Sequence, residues 1–321
     1  MAQSVKAYKN EQVSARRRSR GKGAAQRCAN YGCMTLLAVF FLFPLVFMFA
    51  SSFKPERLIF SDLQTVIYAF IPRGFTTQNY ETVFRTVPFG RYMFNSVFIT
   101  LITVGLGLFV NSMIAYALSR LRWRGRSFIL SLVIALIIVP LEAIAVPMLV
   151  VVNSLPWANL AWGEGASFLG LTLPALEVTS TWLDSYQVQI VPFIANAFSI
   201  FLFYQFFLDI PKEFDEAAIV DGASPFDIYW RIIVPLSRPA FATVAILEAL
   251  SVWSAYLWPL MTTRGVDYRP LTVGITALYL EDIQWGPILA FAAMVTIPAL
   301  ALFLAFQRWF IQSVASSGVK G

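Results

Sequence analysis

The chain contains no histidine among its 321 residues, and this absence excludes several kinds of chemistry. A histidine-based metal site, a nucleophile activated by histidine and a histidine proton relay all require that side chain. Cysteine is also scarce, because Cys28 and Cys33 are the two in the sequence and both lie at the start of an apolar run. Two such cysteines make no disulfide framework, and we interpret them as small apolar residues.

The sequence also lacks a phosphate-binding loop for nucleotides. No G-x-x-x-x-G-K-[ST] pattern is present, and the glycine-rich pair Gly21-Lys22 is followed by Gly23 instead of Ser or Thr. Acidic residues cluster in predicted loops and do not form a pair that faces an apolar cavity. The sequence therefore does not predict an enzyme, and we assign no catalytic residue, metal ligand or cofactor-binding residue to this chain.

Charge is scarce as well, since 13% of the residues are charged, 58% are hydrophobic and the mean hydropathy is +0.67. This composition excludes an ordinary soluble domain. Uncharged or nearly uncharged runs long enough to cross a bilayer, about 18 residues or more, occur in six regions. They are Cys28–Phe53, Tyr92–Ser119, Ser127–Val152, Tyr186–Leu208, Pro239–Thr263 and Trp285–Gln307. We predict an all-α membrane protein with six transmembrane helices.

The distribution of lysine and arginine predicts the orientation of these helices. A cytoplasmic N-terminus places 17 of the 24 basic residues on the cytoplasmic side, and four of those are arginines between residues 120 and 126. Cytoplasmic loops carry such an excess, so we expect both termini in the cytoplasm. Residues 1–27 are predicted to form a disordered basic tail near anionic lipid, and residues 313–321 a short cytoplasmic tail.

The polar loop over residues 211–238, between the fourth and fifth apolar runs, is the most informative segment. Acidic residues at its start suit the positive end of a helix dipole. Gly222 can adopt the left-handed conformation that ends a helix, and Ser224 followed by Pro225 suits the start of another. We expect a helix, a glycine turn and a second helix on the cytoplasmic surface. The residues alone fit either a solvated connector or a docking site for a partner.

The order of residues in this loop resembles the EAA loop of ABC-importer permeases. Glu216-Ala217-Ala218 is followed after three residues by Gly222, and after nine more by Ile232-x-Val234-Pro235. The family pattern ends I-x-L-P, so Val234 departs from it. The resemblance covers nearly the whole chain beyond the basic tail and is greatest to the maltose-type permeases of carbohydrate importers. The segments that carry it include AYALSRLRWRGR, VPLEAIAVP, WSAYLWPL and FQRWFIQSVASSGVKG.

Two further segments depart from the family pattern. The family sequence W-N-[DE]-[FY]-L-W-P-L is replaced here by WSAYLWPL, so a commonly polar pair becomes Ser254-Ala255. The external insertion 153–189 is longer than the usual connection. It holds three acidic residues and no lysine or arginine. It lies at the outer membrane interface, forms part of a platform for a binding protein, or acts as a passive cap.

The resemblance implies a transmembrane permease domain over residues 28–312, as one subunit of an ATP-driven, binding-protein-dependent carbohydrate importer. The cargo would be an oligosaccharide, disaccharide, glycoside or polyol. The implied partners are a second permease subunit, two ABC ATPase subunits that hold ATP and Mg²⁺, and an external solute-binding protein. The implied location is the plasma membrane of a bacterium or archaeon, or the inner membrane of a Gram-negative cell. Residues that the resemblance assigns to ATPase coupling are Glu213, Glu216, Ala217, Ala218, Asp221, Gly222 and Pro235.

Residues in or beside the apolar spans are candidates for the substrate path, namely Glu142, Glu248, Trp253, Tyr256 and Trp258. A carboxyl group within a span is costly unless it faces protein or water. Each of the two acids therefore either contacts sugar hydroxyls or forms an interhelical hydrogen bond. Proline on both sides of Glu142 predicts a kink beside a cavity. The aromatic rings either stack on sugar faces or anchor the helices at the membrane boundary.

Two other classes of protein compete with this interpretation. A stand-alone secondary transporter of a polar solute would show internal repeats and a buried ion site, and we see no persuasive repeat. A membrane-bound transferase would need charged residues that converge at the membrane interface. Copurification with ATPase subunits separates the importer from both.

Overall fold

The computed structural model describes residue 26 and residues 29–161, 167–168, 171–172, 175–179, 181–279 and 283–317. In chain order its helices are α1 (Ala29–Ser52), α2 (Glu56–Ser61), α3 (Val66–Phe70), α4 (Gln78–Thr86), α5 (Phe89–Ser119), α6 (Arg126–Ile138), α7 (Leu141–Asn153), α8 (Tyr186–Ile194), α9 (Ala197–Asp209), α10 (Glu213–Val220), α11 (Pro225–Ile228), α12 (Val234–Leu236), α13 (Arg238–Trp253), α14 (Leu257–Thr262), α15 (Leu271–Gly274) and α16 (Trp285–Ser317). Short 3₁₀ segments lie at Asp62–Gln64 and Ile275–Tyr279, and a π-helical turn, Tyr229–Ile233, joins α11 to α12.

Within the described residues, four helical segments are long and apolar enough to cross a membrane, and the number rises to six if each of two bent pairs counts as one span. The four are Ala29–Ser52, Phe89–Ser119, Tyr186–Asp209 and Trp285–Ala305. The bent pairs are α6 with α7, at 105°, and Pro225–Leu236 with α13, at 79°. Each of the six predicted apolar runs overlaps one of these segments. The predicted tail 1–27 lies outside the described residues except for residue 26, as do residues 318–321.

The third span is broken where the sequence predicts a kink. Pro140 disfavours helical backbone at the residue before it, and Val139 is accordingly extended, with ψ 112°. The chain therefore leaves α6 and starts α7 at Leu141 in a new direction. The fifth predicted span is also interrupted, because α13 ends at Trp253 and the chain turns before α14 begins.

The insertion 153–189 contains strands, which the all-α prediction did not include. β1 (Trp157–Ala161) pairs antiparallel with β4 (Ala175–Thr179), with Trp157 opposite Thr179. Between them in sequence, β2 (Ser167–Phe168) pairs with β3 (Leu171–Thr172). Each of the four strands is only two to five residues long, so none shows a recognisable alternation of polar and apolar residues in the sequence.

The chain divides into two compact units. The first unit comprises Met1–Glu81 and Gln284–Ala293, and in its described part the segment after α1 is held by buried polar contacts. The Lys54 ammonium donates to the carbonyls of Tyr68 and Ala69, at 2.7 and 3.0 Å, and lies 3.7 Å from the Asp62 carboxylate. Burial lowers the pKa of Lys54, and attraction by Asp62 acts in the opposite direction.

The same unit joins two distant parts of the sequence. The Glu56 carboxylate accepts hydrogen bonds from the backbone N–H groups of Trp285 and Gly286, at 2.8 and 2.6 Å. It thereby satisfies free donors at the start of α16. A side chain on Gly286 would overlap the amide of Asn79, which itself donates to the Ser52 and Lys54 carbonyls.

The second unit, Thr82–Ile283 with Met294–Gly321, is organised around α5. This helix packs against α8, α9 and α13. Its buried side chains include a run of polar residues: Asn95, Ser96, Thr100, Thr103, Asn111, Ser112 and Ser119. Near one end of α5 the core is apolar and includes Leu118, Phe203, Phe207, Ile233 and Val244. A central helix with a polar stripe can therefore bond to several neighbours along its length.

Candidate functional sites: a polar cleft and a capped loop

A cleft of about 410 Å³ opens in the second unit. It lies where α5, α7 and α8 meet the segment that follows α13. Its lining residues are Ser96, Ile99, Leu141, Glu142, Gln189, Phe193, Ser251, Val252, Ser254, Ala255, Tyr256, Leu257, Trp258, Pro259 and Pro270. Broad apolar walls with a few polar groups are typical of small-molecule sites.

The break in the third span places Glu142 at this cleft. Because Pro140 ends the extended link, Glu142 falls in the first turn of α7, where the helix dipole favours a negative charge. Its side chain is exposed in this chain. Among the described residues that line the cleft, Glu142 is the only one with a charged side chain. The cleft therefore presents a carboxylate acceptor and no opposing cation.

Gln189 contributes a second polar group to the cleft wall, and it is not among the site residues predicted from the sequence. Its amide nitrogen donates to the Tyr268 carbonyl at 2.8 Å. Its side chain is buried, and its carbonyl oxygen, Oε1, has no hydrogen-bond partner among the described residues. Buried acceptors are normally satisfied, so this unpaired oxygen is an exception among the described residues that line the cleft. The signal that could have drawn attention to it is its position near the start of a predicted span, but that span also contains Gln187, Asn196 and Gln205.

Two of the predicted aromatic residues reach the cleft in different ways. Trp258 is 1% exposed, and its indole N–H donates to the Val188 carbonyl at 2.8 Å, so it fixes α14 against α8. Tyr256 is 44% exposed and presents its ring at the cleft wall. The geometry therefore brings together three of the five substrate-path candidates, Glu142, Tyr256 and Trp258.

Glu248 lies away from the cleft. It is buried on α13, where the Asn111 amide of α5 donates to its Oε1 at 2.7 Å. The Asn111 carbonyl oxygen accepts from the backbone N–H of Asn196, at the start of α9, at 2.9 Å. A side chain on Gly107 would come within 2.7 Å of the same carboxyl group. This arrangement is an interhelical hydrogen bond, one of the two roles predicted for Glu248 from the sequence.

Trp253 is also separate from the cleft. Its indole N–H donates to the Val295 carbonyl at 3.3 Å, and its ring lines a smaller, largely apolar cavity of about 160 Å³. Pro298 and Leu302 lie on the other side of that cavity. The contacts are those of a residue that packs one helix against another.

Replacing Asn111 with leucine is expected to destabilise the second unit by about 1–3 kcal/mol, because it leaves the Glu248 carboxyl and the Asn196 N–H without their partner. Unfolding of the purified protein in detergent measures the change. Ser131→Ala is the matched control, since Ser131 is exposed on α6 and bonds only along its own helix. Equal stability of Asn111→Leu and the control variant would contradict this account of the three-helix contact.

The loop 211–238 has the local structure that the sequence predicts. α10 carries Glu213, Asp215 and Glu216 in its first turn. Gly222 follows it with φ 81°, a left-handed conformation that glycine adopts without strain. Ser224 then starts α11 with a capping box, in which its hydroxyl accepts from the Asp227 N–H and the Asp227 carboxylate accepts from the Ser224 N–H.

Most of the residues predicted to couple to an ATPase are exposed in this chain. They are Glu213, Glu216, Ala217, Asp221, Gly222 and Pro235, whereas Ala218 is half-buried against the core. Val220 is 87% exposed, although it is apolar and lies within a rigid, capped segment. A single exposed apolar side chain is common on protein surfaces and by itself identifies no partner.

The described residues form an apolar helical bundle with up to six spans, an internal cleft with a few polar groups and an exposed capped loop. Together these features are typical of a multi-pass membrane transport component. Comparison with known families agrees. The family described as binding-protein-dependent transport system inner membrane component matches residues 104–316, and the chain belongs to that family.

Named relatives match nearly the whole chain. The arabinooligosaccharides transport system permease protein AraQ of Halalkalibacterium halodurans is 30% identical over 287 residues, which cover 89% of this chain and 93% of that protein. The sn-glycerol-3-phosphate transport system permease protein UgpE of Yersinia enterocolitica is 28% identical over 286 residues, covering 86% and 91%. The relatives are permease subunits of transport systems.

Two solved structures show the same fold. One is a bacterial ABC transporter involved in the import of the acidic polysaccharide alginate, with a TM-score of 0.68, 23% identity and coverage of 88% of this chain and 95% of that one. The other is a bacterial alginate ABC transporter in complex with an alginate pentasaccharide-bound periplasmic protein, with a TM-score of 0.56 and 16% identity over 87% and 93% of the two chains. The resemblance stated from the sequence is thereby confirmed at the level of family and fold.

Proposed function

We propose that this chain is a permease subunit of an ATP-driven, binding-protein-dependent ABC importer for a neutral carbohydrate, and that it forms half of the translocation path. Its membership of the family and its similarity to an arabinooligosaccharide permease support the importer and the carbohydrate class. The single observation that carries the choice of a neutral cargo is the cleft.

The polar groups of the cleft suit a ligand rich in hydroxyl groups. The exposed Glu142 carboxylate accepts hydrogen bonds, and Tyr256 supplies an exposed aromatic face. A phosphate or a uronate would meet the Glu142 carboxylate and no cation among the described residues of the wall, and like charges repel. The cleft therefore favours a neutral sugar over the phosphorylated or acidic solutes named for some relatives.

The partners in this proposal are a second permease subunit, two ABC ATPase subunits and an external solute-binding protein. ATP and Mg²⁺ belong to the ATPase subunits. The exposed face of α10 supports an ATPase contact, because small residues permit close approach while Glu216 and Asp221 can meet basic groups. The excess of arginine beside this loop supports its cytoplasmic placement, and thus a plasma-membrane location with both termini inside.

Reconstitution tests this function directly. We expect proteoliposomes that hold this chain, its second permease and its ATPases to accumulate a neutral arabinooligosaccharide when ATP and the binding protein are supplied. Glycerol 3-phosphate and alginate oligosaccharides serve as anionic comparisons and are expected to enter at background rates. Vesicles that contain this chain alone are the control. If those vesicles concentrate the solute with an ion gradient and no ATPase, the chain is a secondary transporter instead.

A further inference from the structure

Arg120, at the end of α5, joins three helices through one buried side chain. It is 3% exposed, and one guanidinium nitrogen donates to the Asp215 carboxylate of α10 at 3.0 Å. The other terminal nitrogen donates to the Phe207 carbonyl and, at 2.5 Å, to the Ile210 carbonyl, both at the end of α9. Carbonyls at the end of a helix lack partners within the helix and carry partial negative charge, so a cation suits them.

Two more bonds connect the same face of α5 to the second half of the loop. The Tyr116 hydroxyl donates to the Pro225 carbonyl at 2.9 Å, at the first residue of α11. The Ser112 and Tyr229 hydroxyls are 2.7 Å apart. Residues 112, 116 and 120 recur every four positions and therefore lie on one face of the helix. This face contacts both helices of the capped loop.

The buried ion pair is incompletely satisfied. Arg120 Nε and Asp215 Oδ1 have no hydrogen-bond partner among the described residues. A buried ion pair is weak support for stability, because desolvation of the charges offsets much of their attraction. Its geometry does, however, fix the relative positions of α5, α9 and α10, since the planar guanidinium bonds in set directions.

We propose that Arg120 is a positioning residue that makes α10, the end of α9 and α5 move as one body. This inference rests on the proposed function, in which an ATPase displaces α10. Ser96, on the same α5, lines the cleft. From Arg120 to Ser96 the helix is about 36 Å long, at about 1.5 Å per residue. A displacement at the loop thus reaches the cleft wall through one continuous helix.

The test uses the reconstituted transporter and measures uptake and ATP hydrolysis in the same preparation. For Arg120→Gln we expect assembly and ATP hydrolysis to persist while uptake per ATP falls roughly tenfold, within the usual range of coupling between sites. Asp215→Asn should produce a similar loss, and the double variant should be no worse than either single variant. Arg120→Lys keeps the positive charge but lacks the planar guanidinium with its several hydrogen-bond donors. This variant should show a partial loss of uptake per ATP. Arg124→Gln, on the exposed loop, is the control and should leave the ratio unchanged.

If Arg120 has a purely structural role, a different result is expected. Arg120→Gln then lowers the yield of assembled transporter but leaves uptake per ATP unchanged in the molecules that assemble, and that result would overturn the proposal. If Arg120→Gln does not assemble, the pair Arg120→Leu with Asp215→Leu removes both charges and leaves neither unpaired. Normal coupling in the double leucine variant also overturns it. Uncoupling by a bulky residue at Gly222 together with normal coupling at Arg120 would reject the positioning role while the proposed function stands.

Discussion

Replacing Gly222 with tryptophan will reduce ATP-dependent uptake to near background, roughly a 100-fold loss, while the chain still inserts and folds. The structure explains why a partner is needed for this effect. Apart from Gly222 and its two chain neighbours, no described residue has an atom within 4 Å of where a Cβ on Gly222 would be, so a side chain here starts in open space. A protein docked on the loop would therefore clash with the tryptophan ring.

Backbone strain must be separated from this clash, because Gly222 has φ 81°. In the left-handed region a residue with a side chain costs about 1–2 kcal/mol, and asparagine tolerates it better than most. Gly222→Ala therefore imposes the strain without the bulk, and Gly222→Asn imposes less strain than alanine and less bulk than tryptophan. We expect both small variants to retain most of the uptake.

Uptake of labelled sugar and ATP hydrolysis by the purified complex are the measurements. Normal uptake by Gly222→Trp would show that no partner docks at this turn. Equal loss in the alanine and tryptophan variants would assign the effect to the backbone conformation of the loop.

The second large effect is expected at Glu142. Replacing this residue with lysine removes the only carboxylate acceptor among the described residues of the cleft wall and introduces a cation there. A hydrogen bond to a charged group contributes about 1.5–3 kcal/mol, so losing it weakens binding of a neutral sugar by roughly 10- to 150-fold. Glu142→Gln keeps an acceptor and should lose less.

Initial rates of uptake over a range of sugar concentrations measure this change. The control is Glu81→Lys, which makes the same charge change at an exposed position on α4. We expect the control to behave as the unmodified protein. If Glu142→Lys and Glu81→Lys have the same uptake, the cleft is not part of the path.

Local features could be predicted from the sequence because neighbouring residues determine them. The apolar runs predicted the spans, Pro140 predicted the break in the third, and Gly222 and Ser224 predicted the turn and the cap. The kink at Pro140 also placed Glu142 correctly beside a cavity. Each of these depends on residues a few positions apart.

Other features depend on which helices meet, and a single sequence does not contain that information in readable form. An interhelical hydrogen bond was one of the roles predicted for Glu248, but its partner was not identified: Asn111 lies on another helix and donates to the Glu248 carboxyl group. Arg120 was one arginine among four in a basic loop, and its burial follows from the approach of α9 and α10. The strands of the insertion were missed because their pairing joins residues 157–161 to 175–179.

The bond between Glu56 and the first residues of α16 has a consequence for biosynthesis. The ribosome synthesises Glu56 well over two hundred residues before its partners Trp285 and Gly286. At a translation rate of roughly 5–20 residues per second, the delay is on the order of 10–50 seconds. During that interval the carboxylate lacks its partners, so the first unit cannot reach its final form before translation nears completion. A transcript truncated ahead of α16 would yield a nascent chain with this unit unfinished, which makes it a natural target for membrane proteases.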